Sequence, residues 1–381
     1  DAPNIAASLL KAYPRMTEVQ RRAAIATLCS RASSAQALLR EIGEKRIPAT
    51  DLSADLARQL EYLNDATVAE LLPQVWGQVR KSSAEKLEQI QIYKELVADS
   101  GLPPADLPLG RAMFAKTCQR CHMLYGVGEK LGPDLTGSNR SNLDYLLENI
   151  VDPSAVMAKE YRQSIFLTDS GQVITGIVRS ETENAVTVQT ADAMVVLPKV
   201  EIEERRESDQ SMMPENQLLP FSDHEIRSLL EYLRSKQQTP IRATSENVST
   251  FFNGTDLSGW HGNPELWSVV DGELVGKSSG LKTNEFLVSD LAADDFRLTL
   301  EIQLVENLGN SGIQFRSRSH ESGSVEGYQA DVGQGWWGKL YEEHGRGLLW
   351  DQSGEAHLKP GQWNRYEVEA VGSHIRTRLN G

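Results

Sequence analysis

Apolar residues recur at helical spacing through the first hundred positions of this 381-residue chain. Leu52, Leu56 and Leu60 follow that spacing, and the run 68–76 repeats it. Amphipathic segments of this length predict a stack of helices similar to a helical-repeat array. The stretch holds no cluster of His, Cys and acidic residues that would support chemistry. We therefore expect residues 1–100 to form a scaffold.

The pattern changes twice in the next segment. A Gly-Leu-Pro-Pro break at 101–104 precedes renewed helical spacing. Between about 162 and 206, short β-branched runs separated by turn residues predict a small antiparallel sheet. Capping-box patterns at 141–144 and 222–225 predict helix starts on either side of it. Residues 101–236 therefore read as a mainly helical domain with a β insertion.

The last third of the chain shows only strand patterns. A polar linker at 237–250 leads into 251–381, where apolar and polar residues alternate, most clearly over 296–304. Many strands without helical spacing predict an antiparallel two-sheet sandwich. The fold class is thus multidomain α + β. Asn380-Gly381 is a hairpin signal with no partner strand after it, so we expect the natural protein to continue.

Charge narrows the range of partners. The formal net charge of −14 opposes binding to nucleic acid and to anionic membrane surfaces. No apolar run approaches the roughly 18 residues that a spanning helix needs. We expect no nucleic-acid partner and no membrane span within this segment.

Two of the three cysteines lie in Cys118-Gln119-Arg120-Cys121-His122. Thiols at this spacing can form two thioethers to one haem, with His122 as the proximal iron ligand. A redox dithiol and half of a zinc site are the alternatives. No second Cys pair exists to complete a zinc site, and the adjacent His favours covalent haem c. Such attachment takes place outside the cytoplasm, so we expect a periplasmic or otherwise extracytoplasmic protein. Cys29 lies on an apolar helical pattern and is expected to be a buried, inert thiol.

The other haem contacts are predicted from two loops. The Pro133 carbonyl lies close after the motif and is a suitable acceptor for the second imidazole N–H of His122. Met212, Met213 and His224 are candidates for the sixth iron ligand. Met213 is preferred because the proline after it favours an extended backbone, and Met212 is a close alternative. His224 falls in the first turn of a helix and is expected to be solvated.

Residues 107–236 resemble the cytochrome c domain of large planctomycete and verrucomicrobial proteins. The shared features are Cys-x-x-Cys-His, Gly-Pro-Asp-Leu-Thr-Gly, a β insertion, Ser-x-Met-Pro and a final helix. The resemblance implies one covalent haem, electron transfer, and an axial Met before Pro, which is Met213 here. The helical array before it resembles the segment that often precedes this domain.

The C-terminal third resembles the 3-keto-disaccharide hydrolases, which have a concanavalin-like jelly-roll fold. The likeness is carried by the segments 252–260, 310–313, 328–332, 336–343 and 363–364. It implies a carbohydrate ligand and cleavage of a 3-keto-glycoside.

The residues also suggest a sugar site independently of that family. A short stretch combines aromatic side chains, which stack on sugar rings, with groups that bind hydroxyls or move protons. Its members are Asp331, Trp336, Trp337, Lys339, Tyr341, Glu342, Glu343 and His344. Arg316 is expected to reach the same face. Alternatively, the two Trp residues belong to the core and the charges to a solvated loop.

The implied chemistry makes specific demands on these residues. A carbonyl at C3 of a sugar acidifies the C2 proton, since the resulting carbanion is an enolate. His344 or Glu343 is predicted to be the base, and Arg316 or Lys339 to stabilise the enolate oxygen. Asp331 and Glu342 are further candidates for the proton transfers.

Three functional hypotheses remain open. In the first, a redox partner such as a sugar dehydrogenase makes the keto-sugar and passes its two electrons one at a time to the haem. No dinucleotide or flavin motif occurs in this chain, so that enzyme is another domain or protein. In the second, the sandwich is a non-catalytic carbohydrate-binding module that tethers the cytochrome to polysaccharide. In the third, the haem is a gas sensor with an open iron position.

Overall fold

The computed structural model describes residues 2–320 and 324–381. These residues form two compact units, divided between Thr239 and Pro240. Helices and antiparallel strands are both present, and the strands dominate the second unit. The coarse prediction of a multidomain α + β protein is therefore confirmed. Across the described ranges, no helix has both the length and the apolar character needed to cross a bilayer.

The first unit begins with a group of helices packed around one core. They are α1 (Ala2–Ala12), α2 (Glu18–Leu28), α3 (Ala32–Gly43), α4 (Ala54–Glu61) and α5 (Ala66–Val75). Leu28, Leu38 and Trp76 are among the buried residues of this core. Cys29 lies there as a fully buried free thiol, as predicted, and burial raises its pKa to about 12. Whether the helices form part of a repeat array stays a prediction.

The rest of the first unit alternates helices with short and long strands. Its elements are β1 (Gly77–Val79), α6 (Ala84–Ala98), α7 (Leu107–Thr117), α8 (Leu143–Val151), β2 (Val156–Ala158), β3 (Arg162–Thr168), β4 (Val173–Glu181), β5 (Ala185–Gln189), β6 (Met194–Pro198), β7 (Ile202–Ser211) and α9 (Asp223–Arg234). β1 pairs antiparallel with β2. This pairing joins the predicted scaffold, residues 1–100, to the predicted domain 101–236.

The predicted β insertion is present as a five-stranded antiparallel sheet in the order β6-β5-β4-β3-β7. It continues past the predicted end at 206 to Ser211. One face buries Phe166, Val186 and Val188, while the other is largely exposed.

The two predicted helix starts have different outcomes. Ser222 forms the expected capping box with Glu225 at the start of α9. The prediction at Ser141 was wrong by one residue: Asn142 caps α8, and its side chain accepts from the Tyr145 amide. Asn is as good an N-cap as Ser, so the sequence offered two adjacent solutions.

Helices α7 and α9 make the closest helix contact in this unit. A Cβ on Gly110 would overlap the Ser228 backbone carbonyl, so the two backbones approach where α7 has no side chain. The rings of Phe114 and Tyr232 pack beside them with centroids 5.8 Å apart. This contact fixes the end of α7 at which the Cys-x-x-Cys-His segment begins.

The second unit consists of strands and short connections. Its strands are β8 (Ile241–Arg242), β9 (Trp260–His261), β10 (Trp267–Val270), β11 (Glu273–Gly276), β12 (Val288–Ser289), β13 (Leu291–Ala292), β14 (Phe296–Ile302), β15 (Asn310–Ser319), β16 (Val325–Gly333), β17 (Leu340–Glu343), β18 (Gly347–Trp350), β19 (Asn364–Val371) and β20 (His374–Leu379). Two antiparallel sheets, β15-β16-β17-β18 and β14-β19-β20, share one core. Phe315 and Val332 contribute to it from the first sheet, and Tyr366 and Val368 from the second.

Candidate functional site

The Cys-x-x-Cys-His segment follows α7 without a break in hydrogen bonding. The Cys118 amide donates to the Phe114 carbonyl at 2.8 Å, and the His122 amide donates to the Cys118 carbonyl at 2.9 Å. Cys118 and Cys121 are free thiols, and both are partly buried. The two thiols and the imidazole therefore come from one turn at the end of α7.

The predicted hydrogen bond between His122 and the Gly-Pro loop is present. The Nδ1–H of His122 donates to the Pro133 carbonyl at 2.9 Å. The Gly132 amide donates to the Cys121 carbonyl at 2.7 Å, and a Cβ on Gly132 would lie 2.6 Å from the imidazole Cε1. The loop therefore runs directly against the ring. With Nδ1 occupied, Nε2 is the nitrogen left to bind a metal, which fits a proximal haem ligand.

Burial shifts the pKa values of all three titratable side chains of the motif. Burial lowers the pKa of His122, opposed by its bond to Pro133, so the imidazole is neutral and can bind iron. Burial raises the pKa of Cys118 to about 11, opposed by a hydrogen bond with Thr117, and it also raises the pKa of Cys121. Reactive Cys-x-x-Cys pairs have lowered thiol pKa values.

The candidates for the sixth ligand lie further along the chain. Met212 and Met213 directly follow β7 and are half-buried. The Met213 amide donates to the Ser211 hydroxyl at 3.1 Å, and the Ser211 amide donates to the Ser154 hydroxyl at 3.0 Å. These bonds order the backbone that carries the Met212 and Met213 side chains. His224 lies in the first turn of α9 as predicted, but it is half-buried rather than solvated. Its buried Nδ1 has no hydrogen-bond partner among the described residues.

No group of three or more His, Cys, Asp or Glu side chains within 2–320 and 324–381 is arranged to hold a metal ion. Haem iron is bound chiefly by the porphyrin and takes only one or two protein ligands. The fit to haem depends instead on the two thiols and the oriented imidazole.

In the second unit, polar side chains gather on the outer face of the sheet β15-β16-β17-β18. Gln314 lies opposite Gln329, which lies opposite Tyr341, and Tyr341 lies opposite Leu348. Successive strand residues alternate between faces, so Asp331 and Glu343 share this face as well. The opposite face supplies the buried core. We define the outer-face cluster as the side chains on this face of Gln314, Gln329, Asp331, Tyr341, Glu343 and the apolar Leu348.

Asp331 is the buried centre of the outer-face cluster, at 3% exposure. Its Oδ1 accepts from the Gln329 amide at 2.6 Å, whereas the buried Oδ2 has no hydrogen-bond partner in the described part of the chain. Burial raises the pKa of Asp331; the Gln329 bond opposes this, Glu343 adds to it, and Lys339 opposes it. The Asp331 amide donates to the Lys339 carbonyl at 3.0 Å, whereas Glu343 lies further along the same face, opposite Gly327. A carboxylate with one free oxygen can accept a proton, and a cation on the adjacent segment can stabilise negative charge.

Residues 247–381 match the family described as the 3-keto-alpha-glucoside-1,2-lyase-like domain. The outer-face cluster lies inside this match. No curated protein matches the chain. The second unit is therefore a lyase-like domain of a carbohydrate-related kind, and a carbohydrate ligand suits its aromatic and polar face.

The structure separates the other predicted residues from the cluster of the lyase-like domain. The Arg316 guanidinium donates to the carbonyl oxygens of Asp294 and Gly372 and pairs with the Asp295 carboxylate at 2.8 Å. It is therefore engaged at another part of the domain, because a break in register after Phe315 turns the strand there.

Glu342 and His344 also differ from the expectation. Glu342 alternates to the other face of β17 and pairs with Arg346 at 2.5 Å. His344 occupies the exposed turn after β17 with a positive φ of 55°. Neither is brought to Asp331 in this arrangement.

The two Trp residues have separate roles. Trp337 is 1% exposed and belongs to the core, as the alternative interpretation held. Trp336 is 37% exposed, and the Lys339 ammonium lies 5.1 Å from its ring centroid. This cation–π contact places an aromatic surface and a positive charge together. The Lys339 carbonyl accepts from the Asp331 amide at 3.0 Å, which links this pair to the cluster through the backbone.

Sequence reasoning missed the two Gln residues and Leu348 as members of the cluster. A Cβ on Gly312 would lie 2.6 Å from the Gln329 Cγ, so that side chain covers the glycine across the strand pair. Alternation within β15 and β16 was a usable signal, since Gln314 and Gln329 interrupt apolar positions with period two. The pairing that brings them together could not be read from one sequence.

Proposed function

We propose that this chain is an exported c-type cytochrome whose lyase-like domain cleaves 3-keto-glycosides. The observation that carries the catalytic half is the buried, unpartnered Oδ2 of Asp331, a residue whose amide bonds the Lys339 carbonyl and which shares a sheet face with Glu343. The observation that carries the haem half is the oriented imidazole of His122, one residue after two free thiols.

The cleavage begins with removal of the C2 proton of a 3-keto sugar. Asp331 or Glu343 takes this proton, and the electron pair of the C–H bond forms the enolate. Lys339 stabilises the enolate oxygen. The electrons then return to form a C1–C2 double bond while the C1–O bond breaks. The protonated carboxyl group returns a proton to the departing alkoxide. Addition of water to the double bond would complete a net hydrolysis.

A raised pKa suits Asp331 for this task. A base works best when its pKa lies close to the working pH, and burial moves this carboxyl in that direction. Trp336 and Tyr341 offer aromatic surfaces for the sugar ring. Gln314 and Gln329 offer amides for its hydroxyls.

On the haem side, Cys118 and Cys121 would form the thioethers and His122 the proximal bond. Pro133 fixes the imidazole, and Met213, or Met212 in its place, would supply the thioether ligand that follows β7. Bound haem would supply one-electron transfer at a potential raised by the Met ligand. A sugar dehydrogenase that forms the 3-keto group is the proposed electron donor.

The test uses the full, haem-loaded chain and a synthetic 3-keto-glucoside. We expect release of the C1 substituent, with turnover lost in Asp331→Asn and retained in Arg316→Lys. Saturable binding without turnover in the unaltered protein would support a carbohydrate-binding module instead and would contradict the lyase proposal.

A second measurement addresses the iron. If Met213 or Met212 completes the coordination, the reduced protein should bind carbon monoxide poorly, and the matching Met→Ala variant should bind it readily. Rapid binding by the unaltered protein would favour a gas sensor over an electron carrier.

A further inference from the structure

Arg179 connects the β insertion to the loop that contacts His122. It lies on β4, where the register with β5 shifts after Val178. Its Nη2 donates to the Leu131 carbonyl at 2.7 Å and to the Lys130 carbonyl at 3.2 Å. Its Nε donates to the Gln189 side chain at 2.5 Å on β5. One guanidinium therefore ties two strands of the sheet to two consecutive loop carbonyls.

The loop tied by Arg179 is the one that orients the imidazole. Gly132 follows Leu131 directly and donates to the Cys121 carbonyl, and the next residue, Pro133, accepts from His122. Burial raises the pKa of the nearby Tyr161 phenol; the charge of Glu160 adds to this, that of Arg179 opposes it and that of Asp134 adds to it. The sheet and the Cys-x-x-Cys-His segment thus hold the same short loop through separate bonds.

We propose that Arg179 is a positioning residue that holds the Pro133 carbonyl against His122, and that this is a task of the β insertion. The inference rests on the proposed haem. The hydrogen bond from Nδ1–H makes the imidazole a stronger electron donor to iron, so its strength affects the reduction potential. A planar guanidinium can serve two carbonyls and Gln189 together, whereas a Lys ammonium lacks that fixed geometry.

The test compares Arg179→Lys and Arg179→Gln with Arg206→Gln in the haem-loaded full chain. Arg206 is an exposed cation on β7 of the same sheet, paired with Glu204 at 3.1 Å. Hydrogen exchange of the amides of residues 130–132 should rise about tenfold in both Arg179 variants, as expected for losing a bond of about 1.4 kcal/mol. The midpoint potential should rise in Arg179→Lys, because a weaker donor stabilises ferric iron less. Arg206→Gln should change neither quantity.

Two results would overturn the inference. One is unchanged amide exchange at residues 130–132 in both Arg179 variants. The other is a midpoint potential that falls in Arg179→Gln and is unchanged in Arg179→Lys. That pattern would result if Arg179 acted only through its positive charge at a distance. An unaltered protein that matures without haem would instead contradict the proposed function, and the exchange measurement would still report whether Arg179 holds the loop.

Discussion

The two candidate sites are built in different ways. The proposed haem site takes its thiols, imidazole and carbonyl acceptor from residues 118–133, held together largely by backbone hydrogen bonds. The outer-face cluster takes its side chains from four paired strands. The first arrangement depends on local chain geometry. The second depends on sheet register, in which a slip by one residue would turn every member toward the core.

The sites also differ in whether a key polar atom has a hydrogen-bond partner. Nδ1 of His122 is paired, which fixes the ring and leaves Nε2 available. Oδ2 of Asp331 is buried without a partner among the described residues, which is costly unless a ligand or proton satisfies it. The comparison suggests that one site is organised for a permanent group and the other for a transient one.

The largest expected effect is on haem attachment. Cys118→Ala combined with Cys121→Ala should abolish covalent haem, because no thiol remains to form either thioether. Haem staining of the denatured protein measures this directly. Cys29→Ala is the matched control, since that thiol is buried in the helical core; it should keep the haem and lose about 1 kcal/mol of stability.

The next effect is on turnover in the lyase-like domain. Asp331→Asn should lower kcat for a 3-keto-glucoside by roughly 10²- to 10⁴-fold, the usual contribution of a general base. Glu367→Gln, on the β14-β19-β20 sheet, removes a carboxylate from outside the cluster and should leave kcat unchanged. Equal losses in both variants would contradict a specific role for Asp331.

Asp331→Asn, which should lower kcat, should raise the thermal stability of the protein at neutral pH. The folded-state pKa of Asp331 is raised, so its favourable contribution is complete below the unfolded pKa and is lost as pH rises through the folded value. At neutral pH the ionised group destabilises the domain. Asp331→Asn should therefore unfold at a higher temperature than the unaltered protein at pH 7, and the gain should vanish near pH 3. Turnover should fall as pH drops through the raised pKa.

A smaller effect is expected at the contact between α7 and α9. Gly110→Ala places a methyl group against the Ser228 carbonyl. The overlap should cost about 1–3 kcal/mol, outweighing the roughly 1 kcal/mol that Ala gains in helix propensity. Denaturant unfolding measures the difference. Lys116→Ala, at an exposed position of α7, should stay within about 0.5 kcal/mol.

The smallest effect compares two glycines directly. A Cβ would lie 2.6 Å from His122 at Gly132 and 2.6 Å from Gln329 at Gly312. The imidazole is fixed by Pro133, whereas the Gln329 side chain can rotate away by giving up its bond to Asp331. Gly312→Ala should therefore lose about 0.5–1.5 kcal/mol, the net value of one hydrogen bond, and Gly132→Ala should lose more. Equal losses of unfolding free energy would show that both sites are equally rigid.

Features set by residues close together in the chain were predictable from the sequence. Contacts that depend on how distant strands and loops pair were not. The β insertion, the Ser222 capping box and the bond from His122 to Pro133 are present because each is set by short-range pattern. Arg316 and Glu342 were predicted beside Asp331, but strand register and alternation place them elsewhere. Arg179 gave no sequence signal, because its importance arises only when β4 meets the loop.

Covalent haem attachment is tested most directly by the intact mass of the exported, matured chain. We expect the mass of the polypeptide plus one haem, with both motif thiols consumed and the haem retained after acid extraction. A mass equal to the bare polypeptide, with Cys118 and Cys121 free to react with a thiol reagent, would contradict it.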